Sequence, residues 1–160
     1  MEEITERIDG LFSPWQRRPC PGGQVWVLKD GEEIYSRCFG LADMERGVEI
    51  GPDTVFHVAS VSKQITCMSV LLLMEDGLLD IDDDIRRYIP HLVSFGEAVT
   101  VRDLMNNVSG IRDQWSLQQL SGVRMEDVIT QRDLITLNAR QKSLNFPPRT
   151  RYLYSTTNFT

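Results

Sequence analysis

Ser60 and Lys63, in the run Ala59-Ser60-Val61-Ser62-Lys63, are the residues whose types and spacing most directly allow chemistry. At i and i+3 on the first turn of a helix, both side chains lie on one face and within reach of each other. A serine hydroxyl is a weak nucleophile until a base stands beside it. Lysine fills that role when burial and nearby positive potential hold it neutral. The helix N-terminus supplies part of the potential, and the apolar helix that follows supplies the desolvation. The Ser60 backbone N–H is then placed to serve as one oxyanion donor. Such a pair would suit acyl transfer through a covalent seryl intermediate. With only two fixed positions, the motif alone leaves a second reading open: Ser60 as an N-cap and Lys63 as a solvated first-turn residue.

Other chemistry-bearing residues read more plainly. His57 and His91 are the only histidines, and a Ser-His-Asp triad would need one of them beside Ser60. His57 lies three residues earlier on an extended segment and reads as a packed or half-exposed side chain. Asp80, Asp82, Asp83 and Asp84 lack the glycine and terminal glutamate of a calcium loop, so they read as a solvated turn with helix capping. Cys20, Cys38 and Cys67 form no C-x-x-C pair and are odd in number, which favours free thiols over disulfides or zinc. Trp15, Trp26 and Trp115 read as packing residues. No metal or cofactor is expected.

The elements that must position Ser60 and Lys63 follow from local signals. Ile4, Ile8, Leu11 and Phe12 recur at helical spacing over residues 2 to 12, and Ser13-Pro14 ends that run. A strand over residues 24 to 29, a tight turn at Asp30-Gly31 and a return strand over 32 to 39 make a hairpin. A helix followed by an antiparallel hairpin indicates α+β. Residues 53 to 58 lead into a helix over 60 to 75, apolar on most faces (Ile65, Met68, Val70, Leu71, Leu72, Leu73), predicted to be buried and closed by Gly77. Asp82-Asp83-Asp84 opens a short helix through Tyr88, stopped by Pro90. Thr100 with Asp103 resembles a capping box for a helix ended by Gly110. Thr130 with Asp133 repeats it before a helix over 131 to 140. Pro147-Pro148 then breaks the chain into a loop that leads to Tyr152-Leu153-Tyr154.

Composition excludes several partners. The 160 residues are 41% hydrophobic and 25% charged, a globular balance able to form a core. The net charge of −6 argues against nucleic acid, which needs a basic surface. Arg17-Arg18 and Arg86-Arg87 are isolated basic pairs. Met1-Glu2-Glu3-Ile4 lacks the layout of a secretory signal, which implies a cytoplasmic protein, or a periplasmic or secreted one if a signal has been trimmed. The longest apolar run, Val70 to Met74, is too short to span a bilayer, so no membrane segment is expected.

Beyond the motif, further residues fall into order. They are Pro21-Gly22-Gly23, Gly40-Leu41-Ala42-Asp43, Asp53-Thr54-Val55-Phe56, Glu75-Asp76-Gly77-Leu78, Tyr88-Ile89-Pro90, Thr100-Val101-Arg102-Asp103-Leu104, Ser109-Gly110-Ile111 and Phe146-Pro147-Pro148 before Tyr152-Leu153-Tyr154-Ser155. In this order and spacing, residues 20 to 160 resemble the serine hydrolases that comprise class C β-lactamases, their esterase relatives, D-aminopeptidases and low-molecular-weight penicillin-binding proteins. The resemblance implies an antiparallel sheet with flanking helices plus a helical subdomain. Ser60 matches the acylated serine, Lys63 its lysine, and Tyr154 the tyrosine of a Y-x-N loop, sharing the base role and relaying a proton to the leaving group. Substrates would be small-molecule esters, amides or β-lactams.

Three departures stand out. Thr156 occupies the Y-x-N asparagine position, and Asn158, two residues on, could replace that substrate-binding carboxamide only through a re-routed loop. Pro148-Arg149 stands for Pro-Gly. Asn106-Asn107 stands where a histidine is common, a change expected to touch packing more than chemistry. The family's Lys/His-Thr/Ser-Gly strand is absent from these residues. The chain therefore reads as the N-terminal part of one catalytic domain, truncated at its C-terminus and inactive alone. Residues 1–90 would carry the α/β portion with the nucleophile helix and 91–160 the helical portion, with the site in a cleft where they join. The rival reading is a catalytically silent or truncated homologue that only binds ligands or partners.

Overall fold

The computed structural model describes residues 2–16, 19–90, 92, 94–124 and 126–160. His91 and the Arg17-Arg18 pair lie outside the described residues. The chain divides into two compact units, Met1–His57 and Val58–Thr160.

In the first unit, α1 (Glu2–Phe12) runs into a 3₁₀ turn at Ser13–Gln16. Two strands follow, β1 (Gly23–Lys29) and β2 (Glu32–Phe39), paired antiparallel from Gly23↔Phe39 to Lys29↔Glu32 with an irregularity at Val27/Leu28. Asp30 and Gly31 both adopt positive φ, 52° and 84°. That backbone twist matches the flanking strands, so the Asp-Gly pair closes the hairpin as expected. A short pair, β3 (Leu41–Asp43) and β4 (Val48–Glu49), completes the unit. The first helix packs by stacking Phe12 on Phe39, ring centroids 5.1 Å apart. Beside this contact Tyr35 Oη donates to Asp9 Oδ1 at 2.7 Å, and Arg37 pairs with Asp9 at 3.1 Å. Burial, then the Asp9 acceptor, pushes the Tyr35 phenol up to about 12. Gly22 lies so close to the end of β2 that a Cβ on it would meet Phe39 O at 1.7 Å, which accounts for a glycine there.

The second unit is helical. A 3₁₀ turn at Ala59–Val61 leads into α2 (Ser62–Glu75). The helix ends in a Schellman motif: Gly77, at φ 70°, donates to Met74 O, and Leu78 donates to Leu73 O. Asp84 caps a 3₁₀ turn at Ile85–Arg87 by accepting from Arg86 N. Three helices follow, α3 (Val101–Met105), α4 (Gln114–Leu120) and α5 (Gln131–Ala139), and then a 3₁₀ turn at Thr156–Phe159. Both expected capping boxes form, Thr100 with Asp103 and Thr130 with Asp133. The buried apolar residues here are Ile81, Ile85 and Val99. Ile85 N donates to Val99 O, and Arg102 N to Ile81 O, so this core is also tied through its backbone.

Two expectations need correcting. No residue of α2 is buried, and Ile65 is 63% exposed. An apolar helix needs cover, but the cover must come from other elements, and the described residues do not provide it. The α3 helix ends at Met105 rather than near Gly110. Asn107, at φ 55°, turns the chain first, since asparagine tolerates that region. Gly110 serves a different need: a Cβ there would meet Phe146 O at 2.2 Å.

Candidate active site

Ser60 sits in the turn ahead of α2, directly after Ala59, whose φ of 46° is left-handed. For a residue with a Cβ that conformation costs roughly 1–2 kcal/mol, and such strain clusters at functional sites. One helical turn on, Lys63 Nζ donates to Ser60 Oγ at 3.1 Å. Tyr154, 94 positions later, brings its Oη to 2.8 Å from the same Oγ. Lys63 Nζ lies over the Tyr154 ring, 5.3 Å from its centroid, and 5.6 Å from that of Phe159. Ser60 and Lys63 come from one side of the expected division near residue 90 and Tyr154 from the other, and all three lie inside the second unit.

The surroundings of Tyr154 favour the ionised form of its phenol. Lys63 as hydrogen-bond partner, then Ser60, draw its phenol below the ordinary tyrosine value. The charge of Lys63 and a hydrogen bond with Thr156 add to this, and desolvation opposes it. The Tyr154 side chain is half open, the residue being 45% exposed. Its place therefore depends on its main chain. Leu153 N donates to Asn107 O at 3.0 Å and Ser155 N to Asn107 Oδ1 at 3.1 Å. Thr156 N donates to Asp113 Oδ2 at 3.2 Å.

The loop before Tyr154 is fixed by Arg149. It occupies the expected glycine position with a left-handed φ of 67°. Its N donates to Val108 O, and its Nη1 reaches Asp103 Oδ2 at 2.7 Å. Asp103 is only 2% exposed.

Asn158 is not brought to this group. It is 8% exposed, accepts from Ser109 Oγ at 2.7 Å and donates to Asn107 Oδ1 at 3.0 Å. Thr156 lies beside the Tyr154 phenol and offers a hydroxyl where the family pattern has a carboxamide. Cys20, Cys38 and Cys67 are free thiols. Beyond an asparagine next to the Ser109-Gly110 element, nothing local in the sequence marks Asn107 and Asp113 as the residues that hold this loop. Their partners lie more than forty residues away.

Tyr154 lines a cavity of about 420 Å³ with Leu153, Leu117, Leu120, Ser116 and Asp113 among its walls. That volume suits a small molecule. A more apolar cavity of about 260 Å³, walled by Ile85, Ile89, Phe95, Ile111, Ile135 and Leu144, has none of Ser60, Lys63 or Tyr154 in its lining. Of the two, only the 420 Å³ cavity is walled by a residue of this group, Tyr154; Ser60 and Lys63 line neither.

A family model for beta-lactamase matches residues 8–160. The chain belongs to the beta-lactamase family. It is 35% identical over 159 residues to a D-aminopeptidase of Gluconobacter oxydans, covering 99% of this chain and 30% of the relative. It is 39% identical over 140 residues to a D-aminopeptidase of Brucella anthropi, covering 87% of this chain and 26% of the relative. The solved D-amino acid amidase from Ochrobactrum anthropi SV3, complexed with L-phenylalanine, superposes with a TM-score of 0.74 at 25% identity, covering 96% of this chain and 42% of that one. This beta-lactamase-family chain thus spans between a quarter and a third of the length of these two curated relatives. Its fold is α+β, of the β-lactamase/transpeptidase type.

Proposed function

We propose that the whole protein is a serine hydrolase that transfers the acyl group of a small amide or ester to water through Ser60, with amides of D-amino acids as the foremost substrates. The observation that carries this is the Ser60 hydroxyl held at once by Lys63 and by Tyr154. Tyr154, as phenolate beside the Lys63 ammonium, takes the Ser60 proton as Oγ bonds to the substrate carbonyl carbon. The carbonyl oxygen becomes an oxyanion facing the Ser60 N–H, one donor of the hole. Tyr154 then returns the proton to the leaving amine or alcohol as its bond to carbon breaks. Water enters by the reverse roles, which releases the acid and restores Ser60.

The D-aminopeptidase and D-amino acid amidase relatives support the substrate class. The net charge of −6 fits a small-molecule substrate better than a nucleic acid. Among the described residues no helix is long and apolar enough to cross a membrane. Thr156 favours a second reading, a homologue that binds but does not turn over, because the Y-x-N carboxamide is missing. Comparing hydrolysis of D- and L-phenylalanine amide and a p-nitrophenyl ester by the full-length protein and Ser60→Ala separates the two. D-selective turnover lost in Ser60→Ala supports the hydrolase. Equal, negligible rates in both proteins, with retained ligand binding, support the silent homologue.

A further inference from the structure

A half-exposed catalytic tyrosine has little side-chain packing to hold it, so its aim must be set by the backbone. The main-chain N–H groups of the residues on either side of Tyr154, Leu153 and Ser155, both end on one residue, Asn107. Its carbonyl accepts Leu153 N–H and its side-chain oxygen accepts Ser155 N–H. The same Oδ1 accepts from Asn158, whose own oxygen is held by Ser109 Oγ. Ser155 and Ser109 are each 1% exposed and Asn158 8%, so the Ser155 side of this bracket is buried, while Leu153 on the other side is 48% exposed. The left-handed φ of Asn107 directs both acceptors to one segment, and asparagine is among the few residues with a Cβ that adopt it readily.

We propose that Asn107 is a positioning residue for Tyr154, gripping the main chain on either side of it so that the phenol stays within hydrogen-bond reach of Ser60. The proposal rests on the catalytic reading of Ser60, Lys63 and Tyr154. A misplacement of about 1 Å at a reacting group can cost about 10²-fold in rate, and an Oη bonded at 2.8 Å leaves little slack. Asp113 holds the next residue, Thr156, through a single bond, so the grip on both sides of Tyr154 belongs to Asn107.

Two variants of the full-length protein separate positioning from bulk stability. Asn107→Gly keeps the backbone freedom at positive φ and removes Oδ1, whereas Asn107→Asp keeps an acceptor there. Asn107→Gly should lower kcat by about 10- to 100-fold, the range that such misplacement implies, with KM little changed. Asn107→Asp should restore most of it. The rise of kcat/KM with pH through Tyr154 ionisation should move to higher pH in Asn107→Gly, because a phenol drifting from Lys63 loses what lowers it. Ultraviolet titration of tyrosinate, with Tyr154→Phe to assign the signal, reads the same shift without turnover. If Asn107→Gly does not fold, Asn107→Ser, whose hydroxyl falls short of both partners, is read the same way. An unchanged pH profile and Tyr154 titration in the folded variant, whatever its melting temperature, would overturn the proposal, as would an Asn107→Asp as impaired as Asn107→Gly. If wild-type protein is not acylated at Ser60, the catalytic reading fails by itself, and the titration still decides whether Asn107 sets the phenol.

Discussion

Lys63 has two possible uses beside Ser60, as a neutral base or as the cation that keeps Tyr154 acidic, and pH separates them. The sequence suggests a buried apolar α2 around Lys63, but no residue of that helix is buried. The tyrosine phenol, in contrast, is drawn down mainly by Lys63. The acylation rate should rise as pH climbs through the lowered Tyr154 value and level off above it. In Lys63→Gln that rise should move toward the ordinary tyrosine value of about 10, and the plateau should fall. Stopped-flow acylation against pH would measure both; an unmoved limb in Lys63→Gln would remove Lys63 from the account. At this scale the Ser60–Lys63 pair was legible because i,i+3 spacing fixes proximity on a helix. Tyr154 was legible only through family resemblance, because nothing local joins residues 94 positions apart. Asn107 and Asp113 stayed hidden for the same reason.

Among the elements, those with strong local signals formed as the sequence implies: the Asp30-Gly31 hairpin, both capping boxes and the Gly77 stop. The helix α4 carried no such signal, because its buried positions are Gln114 and Gln118 rather than apolar residues, so hydrophobic periodicity passed over it. The loop ahead of Tyr154 offers an element-scale test. Arg149 adopts a backbone suited to glycine, and in return its guanidinium meets the buried Asp103 carboxylate. Arg149→Gly would relieve about 1 kcal/mol of left-handed strain. It would lose a hydrogen bond to a charged group, about 1.5–3 kcal/mol, which must be discounted because the Arg149 side chain is half exposed. The net expectation is a destabilisation of about 1 kcal/mol in urea unfolding, with a slower acylation rate as the loop loosens. Greater stability in Arg149→Gly would show that the ion pair is too screened to matter.

For the whole molecule, the apolar surface of α2 is the main discrepancy between sequence and structure. Hydrophobicity reports that a helix needs cover, not where the cover is. Val61, Ile65, Met68 and Leu72 all remain exposed, and contiguous apolar surface of this kind favours association. Residues 1–160 expressed alone should therefore self-associate, bind a hydrophobic dye and melt with low cooperativity, as sedimentation and calorimetry would show. A monomer with a sharp transition would contradict this. The central claim remains the nucleophile. Treating the full-length protein with a fluorophosphonate, then measuring intact mass and mapping the modified peptide, tests it most directly. One adduct is expected, on Ser60, abolished in Ser60→Ala and strongly slowed in Tyr154→Phe; an adduct on Ser62, or none on folded protein, would contradict Ser60 as the nucleophile.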